Sequence, residues 1–459
     1  MLLIMVGDVY MTFFKNKLKA LELNPPRVLA LGFAGLILLG AILLNLPIAT
    51  NTGESIGFLD ALFTSASSVC VTGLVVVNTG EYWSLFGQIV IICLIQMGGL
   101  GFMTMATLVA LILGKKITLK ERLIIKEQLN QETMSGLVKL TKYIIISTFA
   151  IEGIGAIFLS TRFIPRYGLV KGIWFSIFHA ISAFCNAGFD ITGNSIVPFV
   201  GDIVVNLTIC FLIIFGGLGF SVYIDVSKNR RFNRFSLHTK LVLVITLILI
   251  VVSTILIYLI EWDNPGTLNS LSLKDRALAS FFQAVVPRTA GFNSVNMSKL
   301  EDTTVFIMII LMFIGGSPIS TAGGIKTTTF GAIFLTTISV IKGDRDVVVF
   351  NKRISQEIIN RSLAILSVGI ILVVVVSMVL TISEDAVFLD LLFETTSAFG
   401  TVGLSRGITP NLTIFGKILI ILTMYSGRVG PLTMAFAFAK KQKTKSNNYR
   451  YSEGNLFVG

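Results

Sequence analysis

Charged side chains and histidines are scarce in this sequence. Asp, Glu, Lys and Arg together make up 14% of its 459 residues, and there are two histidines. A soluble protein carries about 25% charged residues, so the composition excludes an ordinary soluble fold. No nucleophile–base or metal-ligand pattern occurs in the sequence. We therefore expect neither an enzyme nor a bound cofactor.

Cysteine is also rare. The cysteines lie in apolar stretches and lack the spacing of metal ligands. Buried thiols behave as small apolar side chains, so we expect no disulfide framework. The four residues are Cys70, Cys93, Cys185 and Cys210.

Apolar residues fill the sequence instead, at 54% of the chain. They form long runs, of the length that a helix needs to cross about 30 Å of hydrocarbon. The sequence therefore predicts a multi-pass membrane protein that contacts lipid. The basic residues near the amino terminus follow a short apolar run, which is the reverse of a signal peptide, so we expect a retained segment there. Examples of the long runs are residues 28–49, 143–159, 241–260 and 364–382.

A six-residue motif centred on glycine occurs four times. The glycines Gly73, Gly188, Gly291 and Gly403 are separated by 115, 103 and 112 residues, and near-even spacing indicates an internal repeat. A segment of about ten residues, too short to span a membrane, precedes each motif. A long apolar segment comes before that short segment, and another follows the motif, so each unit contains both. The motifs are VCVTGL (69–74), FCNAGF (184–189), PRTAGF (287–292) and FGTVGL (399–404).

We predict an all-α integral membrane protein of four tandem helix–pore-loop–helix units. Eight spanning helices and four re-entrant half-helices would surround a pseudo-fourfold pore. The expected boundaries are a cytosolic amino-terminal segment (1–24), repeats 1 (25–137), 2 (138–237), 3 (238–358) and 4 (359–440), and a cytosolic carboxy-terminal tail (441–459).

The distribution of Lys and Arg predicts the orientation. The amino-terminal segment, the three loops that follow the second helices and the tail hold 26 of them, whereas the opposite face holds nine. Cytoplasmic loops are enriched in Lys and Arg, so both termini are expected in the cytosol and the glycine motifs should open to the outside. The net charge of +12 is therefore a topology signal and does not indicate a nucleic-acid partner.

The glycine motifs are candidates for an ion pathway. Non-helical backbone within a membrane must be buried in protein or line a water-filled path. Only glycine is common to the four motifs, while the three preceding positions vary. This pattern favours coordination by backbone carbonyls, which can replace the hydration shell of a cation, over a pocket that reads side chains.

With these motifs the chain resembles the Trk/Ktr/HKT superfamily of potassium transporters, and most closely the KtrB-type pore-forming membrane subunit. The resemblance covers residues 25–440 and includes the stretch FIGGSPISTAGGIKTTTF (313–330). It implies a K⁺ filter in which Gly73 favours K⁺ over Na⁺, and a homodimer on a cytosolic ring of nucleotide-binding regulatory subunits. No P-loop occurs in this chain, so the ring would be a separate protein. The expected filter carbonyls are those of Val71, Thr72, Gly73, Asn186, Ala187, Gly188, Thr289, Ala290, Gly291, Thr401, Val402 and Gly403.

A gate is expected in the third repeat. From the filter glycine to the basic end of the second helix the four units span 42, 40, 51 and 37 residues. The surplus is a polar segment, residues 315–329, which would form an intramembrane gating loop. Charges inside a membrane are costly, and we interpret Arg428 as a pore-side barrier, with a buried ion pair as the alternative. The gate residues are Gly315, Gly316, Ser317, Thr321, Gly323, Gly324, Lys326 and Arg428.

The sequence leaves two alternatives for the glycines of the second helices and two for the transport mechanism. Glycine clusters in the second helices, such as GGLG at 98–101, allow either close packing or a hinge. The function predicted is K⁺ uptake across the cytoplasmic membrane, with the coupling to Na⁺ undecided. The alternative is a secondary transporter that moves another solute by alternating access, although four tandem units favour an axial pore.

Overall fold

The computed structural model describes residues 25–101, 104, 123, 124, 126, 137–430, 433 and 434. The predicted cytosolic segment 1–24, the tail 441–459, most of the first loop on the same side and the end of repeat 4 lie outside the described residues. The described part is helical, apart from one small hairpin. The helices are, in chain order, α1 (Pro25–Leu44), α2 (Phe58–Cys70), α3 (Thr79–Tyr82), α4 (Leu85–Leu100), α5 (Leu137–Tyr167), α6 (Leu169–Phe184), α7 (Ile203–Leu218), α8 (Phe220–Asn229), α9 (Leu237–Ile260), α10 (Leu273–Val285), α11 (Asp302–Phe313), α12 (Thr327–Lys342), α13 (Gln356–Ser383), α14 (Phe388–Gly400) and α15 (Ile414–Val429).

Four of these helices are long and apolar enough to cross a membrane, and each opens one predicted repeat. They are α1, α5, α9 and α13. Each is followed by one of the short helices α2, α6, α10 and α14, which have 13 to 16 residues and end at a glycine motif. A further helix, α4, α7, α11 or α15, then completes the unit.

Within the described residues, the second helix of each unit ends or bends before it has spanned a membrane, so the eight spanning helices stay a prediction. Helices α4, α7 and α15 end at Gly101, Gly219 and Gly430, which have φ angles of 82°, 92° and 92°. This left-handed backbone is open to glycine and strained for other residues. After Gly219 the chain turns by 91° into α8. By length and composition, the described residues hold four spans, or five if this bent pair counts as one.

Side-chain caps fix where the second helices begin. The hydroxyls of Ser84 and Thr413 accept the amide N–H groups of Gly87 and Gly416 in the first turns of α4 and α15. A carboxylate oxygen of Asp202 accepts two amides at the start of α7. Such caps satisfy amides that a helix leaves without a partner.

The hairpin lies in the loop between α12 and α13. Its strands, β1 (Val348–Val349) and β2 (Lys352–Arg353), pair antiparallel, with Val348 opposite Arg353. The two turn residues, Phe350 and Asn351, both have positive φ, as a two-residue hairpin turn requires. The Phe350 ring packs edge-on against Phe232 in the preceding loop on the same side, with 6.0 Å between the ring centres.

The core surrounds the short helices. The carboxy-terminal half of α2 is buried from Phe63 to Cys70, and that of α14 from Phe393 to Gly400. One large apolar cluster consists mainly of residues from repeats 2 and 3, and another mainly of residues from repeats 1 and 4, and each also includes residues of other repeats. The short helices therefore reach the centre of the molecule, where the four glycine motifs follow them.

Candidate functional site

The four glycine motifs meet in a closed ring. A Cβ added to Gly73 would lie 2.3 Å from the Ala187 carbonyl oxygen of the second motif and 3.3 Å from Gly188 Cα. The same relation joins the second motif to the third and the third to the fourth, where Gly188 lies against Ala290 O and Gly291 against Val402 O. The fourth motif closes the ring, because a Cβ on Gly403 would lie 2.0 Å from Thr72 O. We call this arrangement the glycine ring.

The backbone alternates in hand through each motif. The residues two positions before the ring glycines have φ angles of 58°, 61°, 66° and 52°, and the glycines themselves are also left-handed, at 96°, 69°, 71° and 89°. The residue between them does not have a positive φ. Left-handed backbone is sparsely occupied by residues with side chains, so four copies of it indicate that the shape of these loops is imposed by their surroundings. The residues two positions before the glycines are Val71, Asn186, Thr289 and Thr401.

Serine side chains brace three of the motifs. The hydroxyls of Ser67 and Ser397 accept the amide N–H groups of Gly73 and Gly403, each at 3.0 Å. Ser182, in the same place in the second repeat, donates to Phe189 O at 2.9 Å. The sequence interpretation overlooked these residues, although a serine six positions before the glycine recurs in three repeats. The third repeat has Val285 there.

The short helices direct their carboxy-terminal ends to the ring, since the last residue of each lies one to four positions before the first left-handed residue of its motif. The carbonyl end of a helix carries partial negative charge. Four such ends around one ring create an environment that favours a cation.

The polar segment (residues 315–329) crosses one side of the ring. Its irregular part separates α11 from α12, and its last three residues form the first turn of α12. Thr321 Oγ1 lies 2.9 Å from Asn186 Oδ1 in the second motif. A Cβ on Gly323 would lie 2.1 Å from Thr401 Oγ1 in the fourth motif. Because the second and fourth motifs are opposite in the ring, the segment extends across it. It lies next to the carboxy-terminal ends of the short helices α6 and α14.

Main-chain hydrogen bonds hold the polar segment against the break in the second repeat. Ser317 N donates to Gly217 O at 2.9 Å, and Thr321 N donates to Gly216 O at 3.2 Å. Within the segment, Thr327 N donates to Gly316 O, and Lys326 Nζ donates to Ala322 O. The remaining predicted gate glycines fold the segment on itself, since a Cβ on Gly315 would lie 2.2 Å from Gly323 O, with Gly324 beside it.

Arg428, on α15 of the fourth repeat, also forms a hydrogen bond with the polar segment. Its guanidinium donates to the carbonyls of Thr321, Gly98 and Gly99. It makes no ion pair within the described part of the chain, so the alternative of a buried ion pair finds no support there. The residue therefore links the fourth repeat, the polar segment and the end of α4 through carbonyl groups alone.

Two acidic groups, the buried Glu152 and the partly buried Asp190, lie behind the second motif. Glu152 on α5 accepts hydrogen bonds from Gln96 Nε2, at 3.1 and 3.3 Å, and from Cys185 Sγ. The Asp190 carboxylate forms a hydrogen bond with His179 Nε2 at 2.8 Å. It also accepts hydrogen bonds from three main-chain amides of its own loop. His179 is thus a hydrogen-bonded structural residue. The described residues contain no group of three or more His, Cys, Asp or Glu that could hold a metal ion.

Ion pairs join repeats 1, 3 and 4 at the far side of the ring. Lys417, at the start of α15, bonds Asp60 in the first turn of α2 at 2.6 Å. Arg406, which follows the fourth motif, pairs with Asp390 at 2.7 Å and with Asp302 at 3.6 Å. These contacts tie the starts of two short helices to neighbouring elements.

All twelve predicted filter residues therefore lie in or beside the glycine ring. Of the predicted gate residues, Thr321, Gly323 and Gly324 contact the motifs. Ser317 and Gly316 face the break in the second repeat, and Lys326 bonds its own segment.

The chain is similar in sequence to known cation transport proteins. A family described as "Cation transport protein" (TrkH) matches residues 11–449. The chain is 49% identical to the Ktr system potassium uptake protein B of Bacillus subtilis, over 98% of this chain and 100% of that protein. It is 42% identical to the potassium/sodium uptake protein NtpJ of Enterococcus hirae, again over 98% and 100%.

A solved structure has the same fold. The potassium transporter TrkH from Vibrio parahaemolyticus matches with a TM-score of 0.69 and 17% identity, covering 89% of this chain and 83% of that one. At this identity the match speaks for the fold alone, while the family match covers nearly the whole sequence. The chain belongs to the TrkH family of cation transport proteins.

Proposed function

We propose that the chain takes up K⁺ across the cytoplasmic membrane through the glycine ring, which acts as a selectivity filter. The observation that carries the proposal is the closure of the ring by backbone alone. Each of the four carbonyls, Thr72 O, Ala187 O, Ala290 O and Val402 O, lies against the glycine of the neighbouring motif. Rings of carbonyl oxygens can replace the hydration shell of K⁺.

The alternation of backbone hand supports this assignment. We infer that this backbone turns successive carbonyl groups toward the centre of the ring, as in filters whose carbonyl oxygens replace the hydration shell of K⁺. A path lined in this way needs no particular side chain, which agrees with the variety of residues before the glycines. The negative ends of the four short helices would stabilise a cation held there.

The polar segment would act as the gate of this path. It extends between opposite motifs on the cytosolic side expected from the charge distribution, and it has few helix-forming residues. Arg428 holds it in place through Thr321 O and adds a positive charge that would raise a barrier to cations. We propose that the segment moves when a cytosolic partner changes state.

The names of relatives agree with this function and suggest its partners. Ktr system proteins are named for potassium uptake, and NtpJ for potassium and sodium. We propose that this chain forms a homodimer on a separate nucleotide-binding regulatory ring, that both termini are cytosolic, and that Na⁺ is the ion to test for coupling. A ring to which all four repeats contribute supports an axial path over alternating access at a site between two halves.

Reconstitution tests the proposal. Purified protein in liposomes should admit K⁺ down a gradient, measured with an encapsulated K⁺ dye, more readily than Na⁺, and should not admit choline. Adding the regulatory ring with nucleotide should change the rate. Folded protein that admits no K⁺ with its regulator present, or that carries larger solutes equally well, would overturn the proposal.

A further inference from the structure

Asn186 makes side-chain contacts that the residues at the equivalent position of the other three motifs do not make in the described part of the chain. Its side-chain amide is buried and donates to Arg288 O at 3.2 Å and to Ile213 O at 3.3 Å. Arg288 directly precedes Thr289, the left-handed residue of the third motif. One side chain of the second motif therefore fixes a main-chain group at the base of the third.

The same side chain contacts the polar segment. Asn186 Oδ1 lies 2.9 Å from Thr321 Oγ1, and that hydroxyl also lies 3.1 Å from Phe184 O. Thr321 is the residue whose carbonyl receives Arg428 and whose amide donates to Gly216 O. The donor and acceptor ends of the Asn186 amide are thus joined to the filter and to the gate, respectively.

We propose that Asn186 is a positioning residue that couples the polar segment to the third motif, so that the position of the segment alters K⁺ binding in the ring. This inference rests on the proposed function. A primary amide has both a donor and an acceptor end, and its planar shape makes them turn together. When Thr321 leaves Oδ1, the amide loses the contact that fixes its rotation, and its hydrogen bond to Arg288 O weakens as well.

The equivalent positions cannot serve in this way. The side chain of Val71 has no polar atom, and the hydroxyls of Thr289 and Thr401 have no hydrogen-bond partner in the described part of the chain. Because coupling between two sites is reciprocal, K⁺ in the ring would in turn favour one position of the segment. The gate would then respond to the ion as well as to the cytosolic partner.

The test measures K⁺ binding rather than flux, because any damage to a gate can raise flux. A bound ion stabilises folded protein, so thermal unfolding of the purified full-length chain is recorded against K⁺ concentration, with choline keeping the ionic strength constant. Thr321→Val removes only the hydroxyl, and Asn186→Leu removes the amide. Thr321→Ser restores the hydroxyl, and Thr337→Val is the control, because its hydroxyl bonds only Ile333 O of its own helix.

We expect Thr321→Val to raise the half-stabilising K⁺ concentration at least threefold, and Asn186→Leu to do the same. The double variant should shift it no further than Asn186→Leu alone, because that substitution already removes the contact with Thr321. Thr321→Ser and Thr337→Val should match the unmodified protein. If Asn186→Leu does not fold, the Thr321 variants decide the matter.

Two results would overturn the inference. One is an unchanged K⁺ midpoint in Thr321→Val that still unfolds cooperatively, and the other is a double variant in which the two shifts multiply. Failure of the proposed function looks different, because the unmodified protein would then show no stabilisation by K⁺ beyond that by choline. That outcome removes the inference with it.

Discussion

Gly73→Ser probes the ring with a single added side chain. Gly73 has a φ of 96°, and a Cβ there would lie 2.3 Å from Ala187 O. Real Cβ atoms essentially never come within 3.0 Å of such an atom, so the carbonyl must retreat by at least about 0.7 Å. The displaced atom is one of the four carbonyl oxygens that we propose to coordinate K⁺.

The size of the effect follows from the strain. Left-handed backbone costs a residue with a side chain about 1–2 kcal/mol, and relieving it moves the loop away from the geometry that suits K⁺. A selectivity change of about 1.4 kcal/mol corresponds to a factor of ten. We therefore expect Gly73→Ser to lower the K⁺/Na⁺ flux ratio at least tenfold, while total cation flux persists.

Flux ratios in proteoliposomes measure this change, and Gly407→Ser is the matched control. Gly407 has a φ of 99°, but a Cβ there would meet nothing within 4 Å. The control shares the backbone strain without the clash and should keep the flux ratio of the unmodified protein. The reasoning would be refuted if serine at Gly73 and at Gly291 left the ratio unchanged, or if Gly407→Ser lowered it as much.

Three other predictions follow from the gate, the topology and the buried acid. Deleting residues 321–326 should raise K⁺ flux and loosen its dependence on nucleotide, and Arg428→Ala should raise it less; a folded deletion variant no faster than the unmodified protein would place the gate elsewhere. Single cysteines introduced at Lys228 or Arg234 should react with membrane-impermeant reagents only from the cytosolic side, and labelling in intact cells would invert the orientation. Glu152→Leu should destabilise the protein by about 1–3 kcal/mol, because it leaves the buried Gln96 amide without an acceptor, whereas Glu152→Gln should keep most of the stability; equal melting temperatures for the two variants would contradict this.

The repeat, the four short helices and the gathering of their motifs were predictable from the sequence. Length and apolar content are local properties, and a glycine that recurs at near-even spacing marks equivalent places in each unit. The fold likewise contains the four long first helices and the interruption at residues 314–326. The serines that brace Gly73 and Gly403 followed the same spacing and could have been found in the same way.

The interruptions of the second helices were only half predictable. The sequence left close packing and bending as alternatives, and the structure contains both, at different glycines. A Cβ on Gly98 would lie 2.0 Å from Val69 O, and one on Gly216 would lie 1.9 Å from Phe184 O, so these glycines permit close packing. Gly101 and Gly219 have left-handed backbone and end their helices. Whether a glycine permits close packing or ends its helix depends on the main chain that packs against it. The hydropathy of the sequence does not identify that neighbouring segment.

Contacts between distant side chains could not be predicted. Asn186 and Thr321 are 135 residues apart, and Lys417 and Asp60 are 357 apart. Each residue has several polar candidates at a similar depth in the membrane. The choice among them depends on how the four units are rotated about one another, which is set by the packing of the whole core.

The four motifs of the ring have the same backbone conformation but different side chains. The side chains can differ because the shared feature is the main chain. Coordination by carbonyls places its demands on the main chain, so the residues two positions before the glycines are free to differ as long as they accept left-handed backbone. Val71 is apolar, Asn186 has an amide that reaches the polar segment, and the Thr401 hydroxyl lies against Gly323. The polar segment, supplied by one repeat, therefore contacts two opposite motifs through different side chains. If the segment is the gate that we propose, this difference favours one position of it, because four identical motifs would not distinguish one opposite pair from the other.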